Sequence, residues 1–229
     1  MIGTLINVAA ILVGSALGLL LRRGLRKDMS EVVMQGLGLC VILIGMNGAL
    51  QTQNTLLVIL SMVVGGVLGT WIGIEARLNR LGEYAQRKLA KDDGNAFAKG
   101  FVTASLVFCV GAMAVVGALN SGIRSDHSTL IAKAALDGVA SVVFAGSMGA
   151  GVMLSAVAVL VYQGAIALLG NLIAPLLSDV VVREMSAVGG LLIVGIGVNM
   201  LLHQEIKVAN LLPAIFVPFA YYPIYNLFV

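Results

Sequence analysis

The sequence predicts an all-α polytopic membrane protein with seven or eight transmembrane or re-entrant helices and an inverted internal repeat. Hydrophobic residues make up 59% of the 229 positions, charged residues only 11%, and the mean hydropathy is +1.02. This composition excludes an ordinary soluble domain. Several uncharged stretches reach the ~20 residues that cross the hydrocarbon core of a bilayer. Two of these stretches also resemble each other, which indicates duplication.

Seven stretches are long enough to be membrane spans, and an eighth is shorter. The seven lie near residues 2–21, 30–50, 55–74, 97–120, 151–170, 186–203 and 208–228. Residues 134–149 are apolar but short, so they either cross as a broken helix or re-enter. The first stretch has no basic segment before it and no small-residue cleavage site after it. We therefore interpret it as a retained helix and not as a signal peptide.

The duplication is clearest between residues 38–50 and residues 190–202. Both match the pattern G-L-x4-I-G-x-N-x2-L, with Asn47 and Asn199 at the same position. Each asparagine follows an Ile-Gly pair, where a helix can unwind and expose backbone carbonyls to an ion or solute. The repeat therefore marks these two asparagines as candidates for a binding path.

A second, weaker alignment joins residues 5–21 with residues 154–170. Together the alignments predict a first repeat of three transmembrane helices at 1–74 and a second of three at 150–229. Residues 97–149 are expected to form one transmembrane helix and the short broken or re-entrant helix. Internal duplication of this kind is typical of transporter folds.

The Lys and Arg residues indicate how the spans are oriented. If 134–149 crosses, all but three of the fourteen basic residues fall on one side, and the three are Arg124, Lys133 and Arg183. By the positive-inside rule that side is the cytoplasm. Both termini and residues 121–133 are then expected outside. Residues 75–96 are expected inside as an amphipathic linker helix on the membrane surface, since their apolar residues recur every three or four positions.

The same topology makes the two copies inverted. With 134–149 crossing, the first span and its counterpart at 151–170 run in opposite directions, related by a two-fold axis in the membrane plane. Such a protein can open to either side in two mirrored ways. If 134–149 only re-enters, the copies are parallel and the charge bias is weaker, so the inverted arrangement is favoured.

No catalytic or cofactor pattern occurs in the sequence. His127 and His203 fall in loops at opposite faces, and H-E-x-x-H, P-loop and G-x-S-x-G motifs are absent. Cys40 and Cys109 lie in apolar spans without metal-ligand spacing and are interpreted as packing residues. We expect no enzyme activity, no cofactor and no nucleic-acid partner, and the sequence leaves metal binding open. The expected partners are the lipid bilayer and a small solute or monovalent ion.

Polar and glycine residues within the spans are the candidates for a substrate or ion path, because a buried polar group in hydrocarbon is costly unless it is partnered. The candidates are Asn7, Asn47, Thr103, Ser105, Asp137, Gly138, Ser141, Gln163, Gly164 and Asn199. For each Asn and Gln, an interhelical hydrogen bond that only fixes packing is an equally good explanation.

Asp137 is the sole carboxylate within a hydrophobic run. One interpretation makes it the N-cap of a helix beginning at Gly138, paired with Lys133 four residues earlier. The other makes it a coupling or binding group beside a helix N-terminus that points into a cavity.

Glycines and prolines mark two further features. Small residues at every fourth position predict close helix contacts, within the chain or across a homodimer, at Gly14 and Gly18 and at Gly65, Gly69 and Gly73. The last span carries three of the four prolines. It corresponds by position to the glycine-rich span at 55–74, and paired interrupted helices point to a central site.

Four stretches carry a family resemblance: GTLINVAAILVGSALGL (3–19), FCVGAMAVVGALNSG (108–122), KAALDGVASVVFAGSMGAGV (133–152) and VYQGAIALL (161–169). They resemble the bacterial family called domain of unknown function 554, the YqgA-like inner-membrane proteins. The resemblance implies an integral inner-membrane protein, and the family's label as a sodium channel or pump is the functional expectation it carries. Matches at Asn7, Asp137, Gly138, Ser141, Gln163 and Gly164 indicate membership and assign no role.

We therefore predict a secondary transporter in the bacterial inner membrane that moves a small solute or ion by alternating access. Asp137 is the candidate coupling or binding group. A passive ion channel and a structural or signalling membrane protein are the alternatives. Seven or eight spans fit all three, but duplicated helices interrupted by Gly and Pro favour transport.

Overall fold

The computed structural model describes residues 1–22, 27–77, 80, 94–110, 112–123, 125–174, 177–202 and 206–228. Within these ranges the chain is helical, with no β-strand. The elements are α1 Ile2–Arg22, α2 Lys27–Ala49, α3 Thr55–Ile72, α4 Gly94–Cys109, α5 Ala112–Ile123, α6 Ser128–Met148, α7 Gly151–Leu168, α8 Gly170–Ile173, α9 Asp179–Leu202, the 3₁₀ helix η1 Val208–Phe216, and α10 Val217–Phe228.

Five of the described helices are long and apolar enough to cross a membrane, namely α1, α3, α6, α7 and α9. A sixth span results if α4 and α5, which meet at a bend of 61°, are counted as one. The helix α2 has 23 residues, but its apolar part covers only Gln35–Ala49. The predicted class, an all-α polytopic membrane protein, is confirmed.

The structure differs from the predicted spans at four places, one of which is the start of α9 at Asp179 instead of 186. The short stretch at 134–149 belongs to α6, a continuous helix of 21 residues that begins at Ser128. The span predicted at 97–120 is divided into α4 and α5. The last span begins as the 3₁₀ helix η1, which contains Pro213 and continues into α10.

The early start of α6 has a local cause. Asp126 Oδ1 accepts hydrogen bonds from the backbone N–H of Ser128 at 3.0 Å and from its hydroxyl at 2.7 Å, which satisfies groups at the helix N-terminus. Hydropathy alone missed this start because Lys133 interrupts the apolar pattern. The predicted linker helix at 75–96 lies mostly outside the described residues.

Glycine residues bring the helix backbones into direct contact. In α1, a Cβ atom at Gly14 would overlap the carbonyl oxygen of Gly138, and one at Gly18 would overlap that of Val142 in α6. From the first contact to the second, the residue numbers increase on both helices, so α1 and α6 run parallel. Small residues allow this approach in a membrane, where apolar burial does not drive helices together.

The helices α2 and α9 cross in the antiparallel direction through two similar contacts. A Cβ atom at Gly45 would lie 2.6 Å from the carbonyl oxygen of Gly190, and one at Gly197 would lie 2.8 Å from that of Gly38. In each contact a glycine of one helix faces the backbone of a glycine in the other.

The glycine ridge of α3 packs within the chain. Gly65 contacts Ala214 of η1, and Gly69 contacts the backbone of Asn210, so α3 and η1 are antiparallel. Gly73 has a different role, because its φ of 70° ends α3 in the left-handed conformation that glycine adopts without strain. The Asn210 side chain then accepts a hydrogen bond from the backbone N–H of Glu75 at 2.9 Å.

We predict that Gly69→Ala destabilises the protein by roughly 1–3 kcal/mol, the usual cost of overpacking. The added methyl group would overlap the carbonyl oxygen of Asn210. Gly36→Ala is the matched control, because a Cβ atom there would meet nothing within 4 Å. Thermal unfolding in detergent should show a lower midpoint for the first variant only, and equal midpoints would contradict the α3–η1 contact.

Candidate functional site

The candidate site is a cluster of four buried polar side chains from α1, α6 and α7, here called the Asp137 cluster: Asn7, Lys133, Asp137 and Gln163. Lys133 Nζ donates to the two carboxylate oxygens of Asp137 at 2.8 and 2.7 Å. Asn7 Nδ2 donates to Asp137 Oδ2 at 2.9 Å and lies 3.5 Å from Gln163 Oε1. None of the four residues is more than 6% exposed.

Helical spacing explains how the cluster is assembled. Lys133 and Asp137 are four residues apart and therefore share one face of α6. Ser141, one turn further on the same face, donates from its hydroxyl to the Asp137 carbonyl oxygen at 2.6 Å. Because the α1 and α6 backbones touch through glycine, the short side chain of Asn7 reaches the Asp137 carboxylate.

The cluster lies near the middle of α6, which is long and apolar enough to cross a membrane. Asp137 is nine residues after Ser128 in the 21-residue helix α6, which corresponds to about 13 Å along the helix axis. A carboxylate at this depth is costly unless it is paired. Lys133 neutralises it, so the pair as a whole carries no net charge.

Two buried polar atoms of the cluster, and a third one turn away on α1, have no hydrogen-bond partner among the described residues. They are Asn7 Oδ1, Gln163 Nε2 and the hydroxyl of Thr4, one turn before Asn7 on α1. Leaving a buried polar group unpaired costs roughly 1–3 kcal/mol. The cluster therefore has unused hydrogen-bonding capacity on both the donor and the acceptor side.

An apolar layer separates the cluster from the N-terminal end of α6. Leu130 is fully buried one turn before Lys133. Its side chain lies between Gly3 of α1 and Gly117 of α5, where added Cβ atoms would be 2.8 and 2.9 Å from it. Beyond Leu130, Ser121 Oγ and His127 Nδ1 form a second polar pair at 2.8 Å.

Comparison with known proteins identifies the family. Residues 2–222 match the family described as protein of unknown function (DUF554). The chain belongs to this family. It is 30% identical over 222 residues to the "uncharacterized membrane protein YdfK" of Bacillus subtilis strain 168, covering 95% of this chain and 94% of the relative. It is also 30% identical over 221 residues to the "uncharacterized protein YqgA" of Escherichia coli K12, with 93% of each chain covered.

No solved structure matches the chain. The family match confirms the membership predicted from the four resembling stretches. Together with the described apolar helices, it identifies a DUF554 multi-pass membrane protein with bacterial relatives.

Two interpretations of residues in the cluster are wrong. Lys133, assigned to an external loop, is buried inside α6. Asp137, interpreted as an N-cap of a helix beginning at Gly138, lies in the interior of a helix that begins at Ser128. The predicted Lys133–Asp137 pairing is confirmed. Both errors arise because a paired charge is tolerated inside a span, whereas a hydropathy pattern counts it as a break.

The other predicted site residues on α6 and α7 lie next to the cluster. A Cβ atom at Gly138 would lie 3.3 Å from that of Ala10, so this glycine belongs to the α1–α6 contact. Gly164 follows Gln163, and a Cβ atom there would meet only Met1 Cε, at 3.8 Å.

Four predicted site residues have no hydrogen bond to the cluster among the described residues. Asn47 is exposed on α2, and Asn199 near the end of α9 bonds to the backbone N–H and C=O of Ile206. Thr103 is buried on α4. Ser105 lines a largely apolar cavity of about 250 Å³ between α4, α5, α7, α9 and η1.

Sequence reasoning missed one further buried charge, Glu184 on α9. It is fully buried and accepts hydrogen bonds from the Thr52 hydroxyl and, at 2.9 Å, from the backbone N–H of Gln53. Arg183 donates to the Gln53 side chain at 2.8 Å. These bonds tie the α2–α3 loop to α9. The run of three valines at 180–182 was the available signal that α9 begins before the predicted 186.

Ligands for a metal ion are not grouped in the described residues, where no three of His, Cys, Asp and Glu come together. The Asp137 cluster itself offers one carboxylate, two amides and an ammonium. This set suits recognition by hydrogen bonds and ion pairs.

We predict that breaking the ion pair from either side is more damaging than removing it. Lys133→Met and Asp137→Leu should each lower the free energy of unfolding by about 3–5 kcal/mol, because the remaining charge is left unpaired in the membrane. The double variant should recover most of that loss. Lys99→Met, at an exposed position, controls for loss of a positive charge. Unfolding titrations of all four variants give the coupling, and additive losses would contradict a direct pair.

Proposed function

We propose that this protein is a secondary transporter that carries a small solute or ion across the bacterial inner membrane by alternating access. The Asp137 cluster is its binding and coupling centre. One observation carries the proposal: the Lys133–Asp137 ion pair is bonded to the amide of Asn7. Within the described part of the chain, Asn7, Thr4 and Gln163 each keep a polar atom without a hydrogen-bond partner. Apolar residues of similar volume would fill the same space at no greater cost in stability, so packing alone is a poor reason for the pair.

Transport by alternating access is favoured over a passive channel by the apolar layer at Leu130. An open channel needs a continuous path for water or ions, whereas Leu130 is fully buried between the Asp137 cluster and the Ser121–His127 pair. A site closed on this side must open by movement of α1, α5 or α6. Ionisable residues buried in a membrane bundle commonly belong to such substrate or proton paths.

We infer that α1–α3 and the second half from α7 onward are inverted copies. Two observations support this. First, the aligned helices α2 and α9 are antiparallel, as their glycine contacts define. Second, the α2–α9 contacts are reciprocal: the alignment pairs Gly38 with Gly190 and Gly45 with Gly197, so the 45–190 contact becomes the 197–38 contact. Reciprocal contacts of this kind are expected about a two-fold axis.

The orientation follows from the same arrangement and from the basic residues. With the Arg- and Lys-rich segments after α1 and α3 in the cytoplasm, both termini are periplasmic. The α2–α3 loop and the Leu130 end of α6 then belong to the periplasmic side. The symmetry axis lies in the membrane plane, so an opening toward one side has a mirrored counterpart toward the other.

We predict that ligand binding requires Asp137. In a thermostability screen of ions, amino acids and organic acids, at least one compound should raise the melting temperature of the wild-type protein. Asp137→Asn should lose that response, and the compound should exchange across proteoliposomes containing the wild type only. Asn47→Leu is the control, because Asn47 is exposed and should not affect binding. A response that survives Asp137→Asn would reduce the cluster to a packing role.

We also predict the sidedness of two segments. In a background lacking Cys40 and Cys109, Gln51→Cys should react with an impermeant maleimide added to intact spheroplasts. Lys88→Cys should react only after lysis. Labelling of both positions from the same side would contradict the proposed topology, and the reverse pattern would invert the orientation.

A further inference from the structure

We propose that the ligand of the Asp137 cluster is a small zwitterion that carries an ammonium and a carboxylate on one carbon, as an α-amino acid does. This inference rests on the proposed transport function and names its substrate class. It is derived from the net charge of the cluster, from its unpaired atoms and from the space beside Gln163.

Net charge is the first argument. Lys133 and Asp137 contribute one positive and one negative charge to a buried, mid-span site. A single cation or anion would leave that site with a net charge in a medium of low dielectric constant, which is costly. A zwitterion keeps the site neutral, because its ammonium pairs with Asp137 and its carboxylate with Lys133. Two ion pairs then replace one.

The unpaired atoms discriminate further between ligand classes. Among the residues that the structure describes, Gln163 Nε2 is a donor without a partner and Asn7 Oδ1 is an acceptor without a partner. A carboxylate can accept from Gln163 Nε2 while an ammonium donates to Asn7 Oδ1. A lone cation would leave the donor unused, a lone anion would leave the acceptor unused, and an uncharged solute would exchange no ion pair. The zwitterion satisfies both atoms and both charges.

The space beside Gln163 limits the size of the ligand. Gly164 has no side chain, and a Cβ atom there would meet only Met1 Cε, at 3.8 Å. On the other flank, Gly138 is packed against Ala10. On the α7 side an added methyl group would be at ordinary contact distance from Met1, so we expect an α-amino acid with a small side chain.

The test compares matched probes on the full-length protein in detergent. L-alanine is paired with ethylamine, which lacks the carboxylate, and with propionate, which lacks the ammonium. Glycine is paired in the same way with methylamine and acetate. We expect the amino acid to raise the melting temperature and to give a measurable binding isotherm, while the matched amine and acid at the same concentration do neither.

Charge variants should change the preferred probe. Lys133→Met should weaken amino-acid binding by at least about 30-fold, the effect of removing one partner of a buried charge pair, and should shift preference to the amine. Asp137→Asn should shift preference to the acid. Gln163→Leu keeps both charges and should still weaken amino-acid binding by about tenfold, one lost hydrogen bond to a charged group. Asn47→Leu should bind as the wild type does.

The possible outcomes are distinct. If the matched amine or acid binds wild type as tightly as the amino acid, or if only another ion or solute binds, the substrate class is wrong while transport stands. If no compound binds and proteoliposomes take up none, the proposed function itself fails. Should the charge variants not fold, Gln163→Leu decides alone, and wild-type affinity in that variant would overturn the assignment.

Discussion

Direct contact between helix backbones at glycine residues is the constraint on which the rest of this structure depends. Lipid tails are as apolar as leucine, so burial of apolar side chains does not hold the helices of this protein together. Close packing and hydrogen bonds must do so. Gly14 and Gly18 bring α1 onto α6, Gly45 and Gly197 join α2 to α9, and Gly65 and Gly69 hold η1. The short side chain of Asn7 can bond to Asp137 because the glycine contact between α1 and α6 holds the two helices close together.

The buried charges of Lys133 and Asp137 are tolerated because the two side chains pair with each other locally. Lys133 and Asp137 meet within one turn of one helix, so their attraction needs no correct tertiary arrangement and is present as soon as α6 forms. The interhelical bonds to Asn7 are added when α1 packs. Glu184 is stabilised differently, by hydrogen bonds to the α2–α3 loop. Its burial therefore depends on the assembled fold. The DUF554 protein thus buries one carboxylate by sequence-local pairing and another by tertiary contact.

Sequence patterns predicted the fold class because the length and polarity of a span are set by the bilayer, which a window of hydropathy measures directly. They predicted the glycine contacts of α1 and α3 for the same kind of reason, since close approach requires small residues at regular spacing. The sequence patterns failed where polar residues lie inside a helix and not in a loop. Lys133 was assigned to a loop but lies in a helix, and Glu184 lies in a helix whose start was predicted too late. The candidates Asn7, Asp137 and Gln163 were correctly expected to be inside the bundle, but only packing shows that they meet. Asn47 and Asn199 share a motif position without sharing an environment.

The backbone contact between α1 and α6 lies nearer to one end of α1 than to the other. The backbones touch at Gly14 and Gly18, whereas Asn7 and Gly3 lie progressively further from that contact. With 1.5 Å of rise per residue, a tilt of about 10° about Gly14 moves Asn7 by about 2 Å and Gly3 by about 3 Å. The first displacement is enough to break the bond to Asp137, and the second frees the side of Leu130 that rests on Gly3. Such a tilt would loosen the apolar layer and the carboxylate together, with the outer end of α1 moving furthest.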